Sequence, residues 1–122
     1  MICPVRNCSE EQRKFASEYV AKLEGRGIEV YYPPRDTDQT DDGIGLMINI
    51  ANREAILQCD EVHVIWDSNS KGSHFDLGMA FMLQAFRNCP IVLASAVEPT
   101  LQKSYNNILR ALAFNSNIAI TD

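Results

Sequence analysis

Apolar positions along this chain follow two spacings. Short runs dense in β-branched and aliphatic residues occur at Ile2 to Val5, Ile28 to Tyr32, Val62 to Trp66, Ile91 to Ala94 and Ile118 to Ile120. Between them lie longer stretches in which apolar residues recur every three or four positions. The first kind suits strands buried on both faces, the second amphipathic helices. Phe15, Ala16, Tyr19, Val20 and Leu23 predict a helix from about Glu10 to Glu24, opened by the capping-box pattern Ser9-Glu10-Glu11-Gln12 and ended by Gly25 and Gly27. Ile44, Met47, Ile48, Ala51 and Ala55 predict a second helix to about Gln58. Leu77, Ala80 and Phe81 predict a third, from about Ser73 to Asn88, and Leu101, Tyr105, Ile108, Leu109 and Leu112 a last one to about Phe114. Pro4 marks the carboxyl end of the first run or a bulge in it, and Pro33-Pro34 stops the second.

Strands alternating with helices in 122 residues, with no linker between them, predict a single α/β domain. The expected architecture is a flavodoxin-like or Rossmann-like parallel sheet of about five strands, with helices on both faces joined by right-handed crossovers. Residues 33 to 43 are polar, carry four aspartates and lack periodicity. A loop of that length reads as a flap over a pocket or as a solvated excursion. Its aspartates lack the alternation, central glycine and closing glutamate of a calcium loop, so no metal is expected there.

Composition narrows the partners. Hydrophobic residues make up 46% and charged residues 22%, as in ordinary globular domains, and the formal net charge is -5 with no basic stripe. That balance argues against a nucleic-acid polymer, although a pocket for one phosphate remains open. No apolar segment has transmembrane length, and the first residues lack the basic start of a secretory signal, so a cytoplasmic protein without a membrane partner is expected. Cysteines 3, 8, 59 and 89 form neither a Cys-x-x-Cys pair nor, with His63 and His74, a zinc-ligand spacing. They read as reduced thiols. Cys3, at the end of the first strand, stands either in the core or in the lining of a pocket. No Gly-x-Gly-x-x-Gly or Walker sequence follows any strand, which disfavours a dinucleotide cofactor and nucleotide hydrolysis; no cofactor is expected.

The chemistry concentrates between Glu61 and Leu83. The apolar run at Val62 to Trp66 breaks into Asp67-Ser68-Asn69-Ser70-Lys71-Gly72-Ser73, after which helical spacing begins. Strand-loop-helix corners lie at the carboxyl ends of parallel strands, where ligands bind and free helix N–H groups attract anions. Asp67, Ser70, Lys71, Ser73, His74 and Asp76 therefore crowd one binding edge. Ser73 reads as an N-cap and Asp76 as the third helical residue, positions that also have a purely capping interpretation. Arg6, between a strand end and a helix start, either meets an anionic ligand or pairs with a helix acid such as Glu10.

Gly72-Ser73-His74-Phe75-Asp76-Leu77-Gly78-Met79-Ala80 resembles the Gly-x-x-x-Glu-Leu-Gly-x-Ala segment of the nucleoside 2-deoxyribosyltransferase family, which includes deoxynucleoside 5'-monophosphate N-glycosidases. The likeness covers roughly residues 1 to 94. It implies that Asp76 takes the place of the glutamate that attacks the anomeric carbon of the sugar. It also implies that Asn52 falls where the family has an aspartate, and that Ser70 and Arg6 match the serine and arginine that hold the phosphate. The activity implied is cleavage or transfer of the N-glycosidic bond of a nucleoside or nucleoside 5'-monophosphate through a carboxylate nucleophile. His74 is a neighbouring polar group that could help the base depart. The resemblance further implies a homodimer or larger homo-oligomer. Two positions depart from the pattern: Asp76 is one methylene shorter than glutamate, and Asn52 does not titrate. Both suit an alternative, a catalytically altered nucleotide-binding or regulatory module.

Overall fold

Three short strands form one parallel sheet: β1 (Val62–Val64), β2 (Ile91–Leu93) and β3 (Phe114–Asn115), in the order β1-β2-β3. Val62 lies opposite Ile91, Val64 opposite Leu93, and Val92 opposite Phe114. The computed structural model describes residues 1–40 and 43–118. Around the sheet run α1 (Glu10–Gly25), α2 (Pro33–Asp36), α3 (Leu46–Gln58), α4 (Lys71–Arg87) and α5 (Tyr105–Leu112). On one side of the sheet Val62, Val64, Ile91 and Leu93 share a core with Leu77, Ala80 and Leu83 of α4 and Leu109 of α5. On the other, Ile65 and Ala94 pack with Ala16, Tyr19 and Leu23 of α1. Burial of both faces is why β2 reads as an unbroken apolar run, while β1 is broken by half-buried His63 and β3 is exposed. Among the described residues no helix is long and apolar enough to cross a membrane.

This architecture corrects the expected five-stranded flavodoxin-like or Rossmann-like sheet: the domain is small and helix-rich, with three strands among its described residues. The first apolar run contributes only an isolated parallel bridge between Ile2 and Val64. Ile2 donates its N–H to the His63 carbonyl at 2.8 Å and accepts from Ile65 N–H at 2.8 Å. Pro4, two residues on, has no N–H with which to continue that ladder. Among the described residues no strand lies beside residues 28 to 32, and they do not form one. The Tyr31 carbonyl takes a single bond there, from the Met1 amino group at 2.9 Å. The expected strand from Ile118 to Ile120 runs beyond the described residues after Ile118. β3 instead lies where the last helix was expected to end: α5 is shorter, ending at Leu112 and starting at Tyr105, capped by Ser104, whose Oγ accepts from Asn107 N–H at 3.1 Å.

Helix α1 matches expectation, with Ser9 Oγ accepting from Gln12 N–H at 3.1 Å and the Gln12 side chain accepting from Ser9 N–H at 2.8 Å. The stretch after residue 33 differs. Pro33–Asp36 makes one helical turn, stabilised by proline at its start and by Asp36 Oδ2 accepting from Tyr32 N–H at 2.8 Å. Arg35 joins Glu24 at 3.0 Å and Asp36 at 2.8 Å, and the Gln39 amide donates to the Pro33 carbonyl at 3.0 Å. These bonds tie the segment to itself and to α1 up to Thr40; Asp41 and Asp42, counted in the expected loop, lie outside the described residues.

Candidate functional site

The chain leaves β1 through Ile65 and Trp66 and turns at Asp67 into α4. Asp67 builds that turn. Its Oδ1 accepts from Asn69 N–H at 2.8 Å, its carbonyl accepts from Ser70 N–H at 3.0 Å, and its Oδ2 accepts from the Gln12 amide of α1 at 3.1 Å. Ser70, not Ser73, caps α4: its Oγ accepts from Ser73 N–H at 3.3 Å and lies 2.9 Å from the Ser73 hydroxyl. Ser73 is buried against this cap. Gly72, the second helical residue, is exposed, and a Cβ added there would meet nothing within 4 Å.

The shift of cap from Ser73 to Ser70 changes the meaning of Asp76. It is the sixth helical residue, past the free N–H groups of the first turn, so it neither caps the helix nor receives bonds from it. Its side chain is 8% exposed, and Oδ1 is buried with no hydrogen-bond partner among the described residues. Burial raises the carboxyl from the ordinary 3.8 to about 6, while the Met1 ammonium pulls weakly the other way. Expected as the third helical residue, Asp76 is instead a desolvated acid in the second turn. Unpartnered buried acids are costly, and they concentrate where chemistry needs them.

His74 lies one turn from Ser70 and donates Nδ1–H to its carbonyl at 2.7 Å, which leaves Nε2 as the acceptor nitrogen. Its ring sits between Trp66, at 4.6 Å between centroids, and Tyr105, at 5.1 Å and edge-on. Trp66 is in turn held by Asn106 Oδ1, which accepts from the indole N–H at 2.8 Å. Trp66 reads in the sequence as a strand residue, and Tyr105 lies too far along the chain for any spacing to link it with His74. Neither was legible as part of the site.

The remaining candidates are dispersed. Cys3 is buried with Ala16 and Tyr19, and burial pushes its thiol up to about 11, so it stays protonated near neutral pH. It nonetheless lies within electrostatic reach of Asp76 and the Met1 ammonium. Arg6 is exposed in the turn that follows. Asn52, half-buried on α3, accepts from the Thr37 hydroxyl at 2.9 Å. Because that hydroxyl has one proton, the Tyr31 phenol must donate to Thr37, at 2.5 Å. Among the described residues neither Arg6 nor Asn52 is bonded to Asp76, Ser70, Ser73 or His74. An open cavity of about 400 Å³ lies at the ends of β2 and β3, and Asp76 does not line it. Comparison of the chain with family models, with curated proteins and with solved structures finds no match.

Proposed function

We propose that this chain is a nucleoside 2-deoxyribosyltransferase-like enzyme that cleaves or exchanges the N-glycosidic bond of a nucleoside or nucleoside 5'-monophosphate, with Asp76 as nucleophile. The observation that carries this reading is the buried Asp76 carboxyl beside the β1–α4 corner, whose Oδ1 has no hydrogen-bond partner among the described residues. A carboxylate with a pKa of about 6 is mostly ionised at neutral pH, yet poorly solvated, and so is a better nucleophile than an exposed aspartate. Attack on the anomeric carbon forms a sugar–aspartyl ester as the C–N bond breaks; its electron pair leaves with the base, which takes up a proton. Water or a second base then displaces the carboxylate through the same oxocarbenium-like transition state. Ser70, Ser73 and His74 supply hydroxyl and imidazole groups at the same corner, and Trp66 and Tyr105 offer flat surfaces for a base.

The same reading makes the chain a cytoplasmic homo-oligomer. Free thiols at all four cysteines suit a reducing compartment. Phe75, Met82 and Phe86 form an exposed, uncharged stripe along α4, interrupted only by half-buried Met79, which a second copy could cover despite the negative charge of each chain.

A second reading, a nucleotide-binding module without turnover, is favoured by Asn52, whose carbonyl oxygen is already occupied by Thr37 and which carries no titratable proton. Incubation with deoxy- and ribonucleosides, with and without the 5'-phosphate, separates the two. Released base that disappears in a folded Asp76→Asn variant supports the enzyme. Thermal stabilisation by a nucleotide without any base release would replace it with the binding module.

A further inference from the structure

We infer that the cavity at the ends of β2 and β3 is a second binding site, for a small aliphatic carboxylate, and that binding there is coupled to proton uptake through the chain Ser116–Tyr19–His63–Glu61. Its volume of about 400 Å³ falls within the roughly 300–1,000 Å³ of ligand clefts. Leu93, Ala94, Ala96, Val97 and Ala113 give it an apolar wall suited to a short hydrocarbon. Among the described residues Arg110 is the one charged group in the lining, and there it donates only Nη1 to a protein acceptor, the Val97 carbonyl at 2.7 Å. A guanidinium with unused donors in a concave, otherwise uncharged place selects an anion, and Ser95, Asn115 and Ser116 provide hydrogen bonds around it. This inference does not depend on the chemistry at Asp76.

Ser116 joins the cavity to a relay that passes through buried Tyr19 and half-buried His63 and ends at the exposed Glu61. The Tyr19 hydroxyl lies 2.7 Å from Ser116 Oγ and 2.6 Å from His63 Nδ1, and His63 Nε2 lies 2.9 Å from Glu61 Oε2. Among the described residues the titratable groups bonded to His63 are Glu61 on its own segment and Tyr19 from α1; β2 sets Val92 beside it and the amino-terminal segment sets Ile2 there. Glu61 as a carboxylate can only accept, so Nε2 carries a proton. With His63 neutral, Nδ1 must accept from the Tyr19 hydroxyl, and Tyr19 accepts from Ser116. Ser116 then has no proton to offer a ligand, since its Oγ also accepts from Ile118 N–H at 3.1 Å. Protonating His63 reverses the order. Nδ1–H donates to Tyr19, Tyr19 donates to Ser116, and the Ser116 hydroxyl is released to donate into the cavity. A carboxylate favours that state, and by linkage its binding draws a proton onto His63.

The test is a titration of the full chain with butyrate at pH 7.5 and 5.5, followed by amide chemical shifts. The expected result is a saturable response centred on Ser95, Asn115 and Ser116, about tenfold tighter at the lower pH, the worth of one added hydrogen bond to a charged group. Arg110→Gln should weaken binding at least tenfold, with Arg110→Lys retaining part of it and melting temperatures checking that both fold. Tyr19→Phe should bind at pH 7.5 but lose the extra tightening at pH 5.5, which separates the relay from the general effect of a less negative protein. Shifts centred on Ser70 to His74, or native affinity in Arg110→Gln, would overturn the site. Equal affinity at both pH values in the native chain, or unchanged pH dependence in Tyr19→Phe, would overturn the proton coupling.

Discussion

The imidazole of His74 is tied to the cap of its own helix, donating Nδ1–H to the Ser70 carbonyl at 2.7 Å while Trp66 and Tyr105 hold its ring. One bond fixes the tautomer and two aromatic contacts fix the plane. His74→Ala should therefore lower stability by about 1–2 kcal/mol through lost ring contacts. Trp66 is the only tryptophan, so its emission reports the change directly. His74→Phe should restore the packing but not the acceptor at Nε2. If His74 assists the departing base, His74→Phe will be as stable as the native chain and slower in base release.

Asp76 makes a claim about stability with a definite sign. Its folded-state carboxyl is raised above the unfolded value, so the protonated form is favoured on folding. That advantage is complete below about pH 3.8 and is lost as pH rises through about 6. A rise from 3.8 to about 6 corresponds to at most about 3 kcal/mol of stability forgone at neutral pH. Asp76→Asn should consequently melt higher than the native chain at pH 7.5, with the difference shrinking toward pH 4. A helix cap would give no such gain, because asparagine caps a helix about as well as aspartate. In the enzyme reading the same titration sets the rate: base release should fall as pH drops through about 6, because the protonated acid cannot attack. Melting curves and pH–rate profiles read both effects.

Thr37 connects two segments that the sequence does not relate. It is buried, accepts from Tyr31 and donates to Asn52 of α3. Thr37→Val preserves shape but leaves the Tyr31 phenol without an acceptor and the Asn52 oxygen without a donor. The expected cost is about 1–3 kcal/mol by chemical denaturation. A double-mutant cycle with Asn52→Ala should show the two losses to be less than additive.

What could be read in advance follows from how local each signal is. Ser9 and Gln12 lie three residues apart and report their capping box without reference to the rest of the chain. β2 announces itself because both its faces are buried. The number of strands was not legible, since pairing is a long-range property: the run at Ile28 to Tyr32 has strand composition, but the run at Ile2 makes a single bridge to β1 and offers it no strand. The corner at Asp67 to Asp76 was legible as a polar break, and its capping residue was not, because Ser70 and Ser73 are both good caps and only the turn built by Asp67 decides between them. That three-residue shift moved Asp76 from a helix start to a buried second turn. His63, Tyr19 and Ser116 are 44 and 97 residues apart in pairs, and no spacing rule could join them.

Arg6 bears most directly on substrate choice. It is exposed in the turn after Ile2, and among the described residues it forms no ion pair with Glu10, the alternative assignment open from the sequence. A charge with no partner contributes little to the free protein, so Arg6→Ala should leave the melting temperature unchanged. A bound phosphate would change that, because a charge-assisted pair with a guanidinium is worth about 1.5–3 kcal/mol, or about ten- to a hundredfold in affinity. Arg6→Ala should weaken a deoxynucleoside 5'-monophosphate by that factor while binding the matching nucleoside as the native chain does. Ser70→Ala cannot serve alone as the companion test, because Ser70 also caps α4 and its loss would cost about 1 kcal/mol of stability. Ser70→Asp keeps a capping oxygen and adds a negative charge, so it should preserve the melting temperature and still reject the monophosphate. Calorimetric titration of both ligands into both variants decides the matter. If Arg6→Ala weakens nucleoside and nucleotide equally, or neither, the phosphate does not sit between Arg6 and the start of α4.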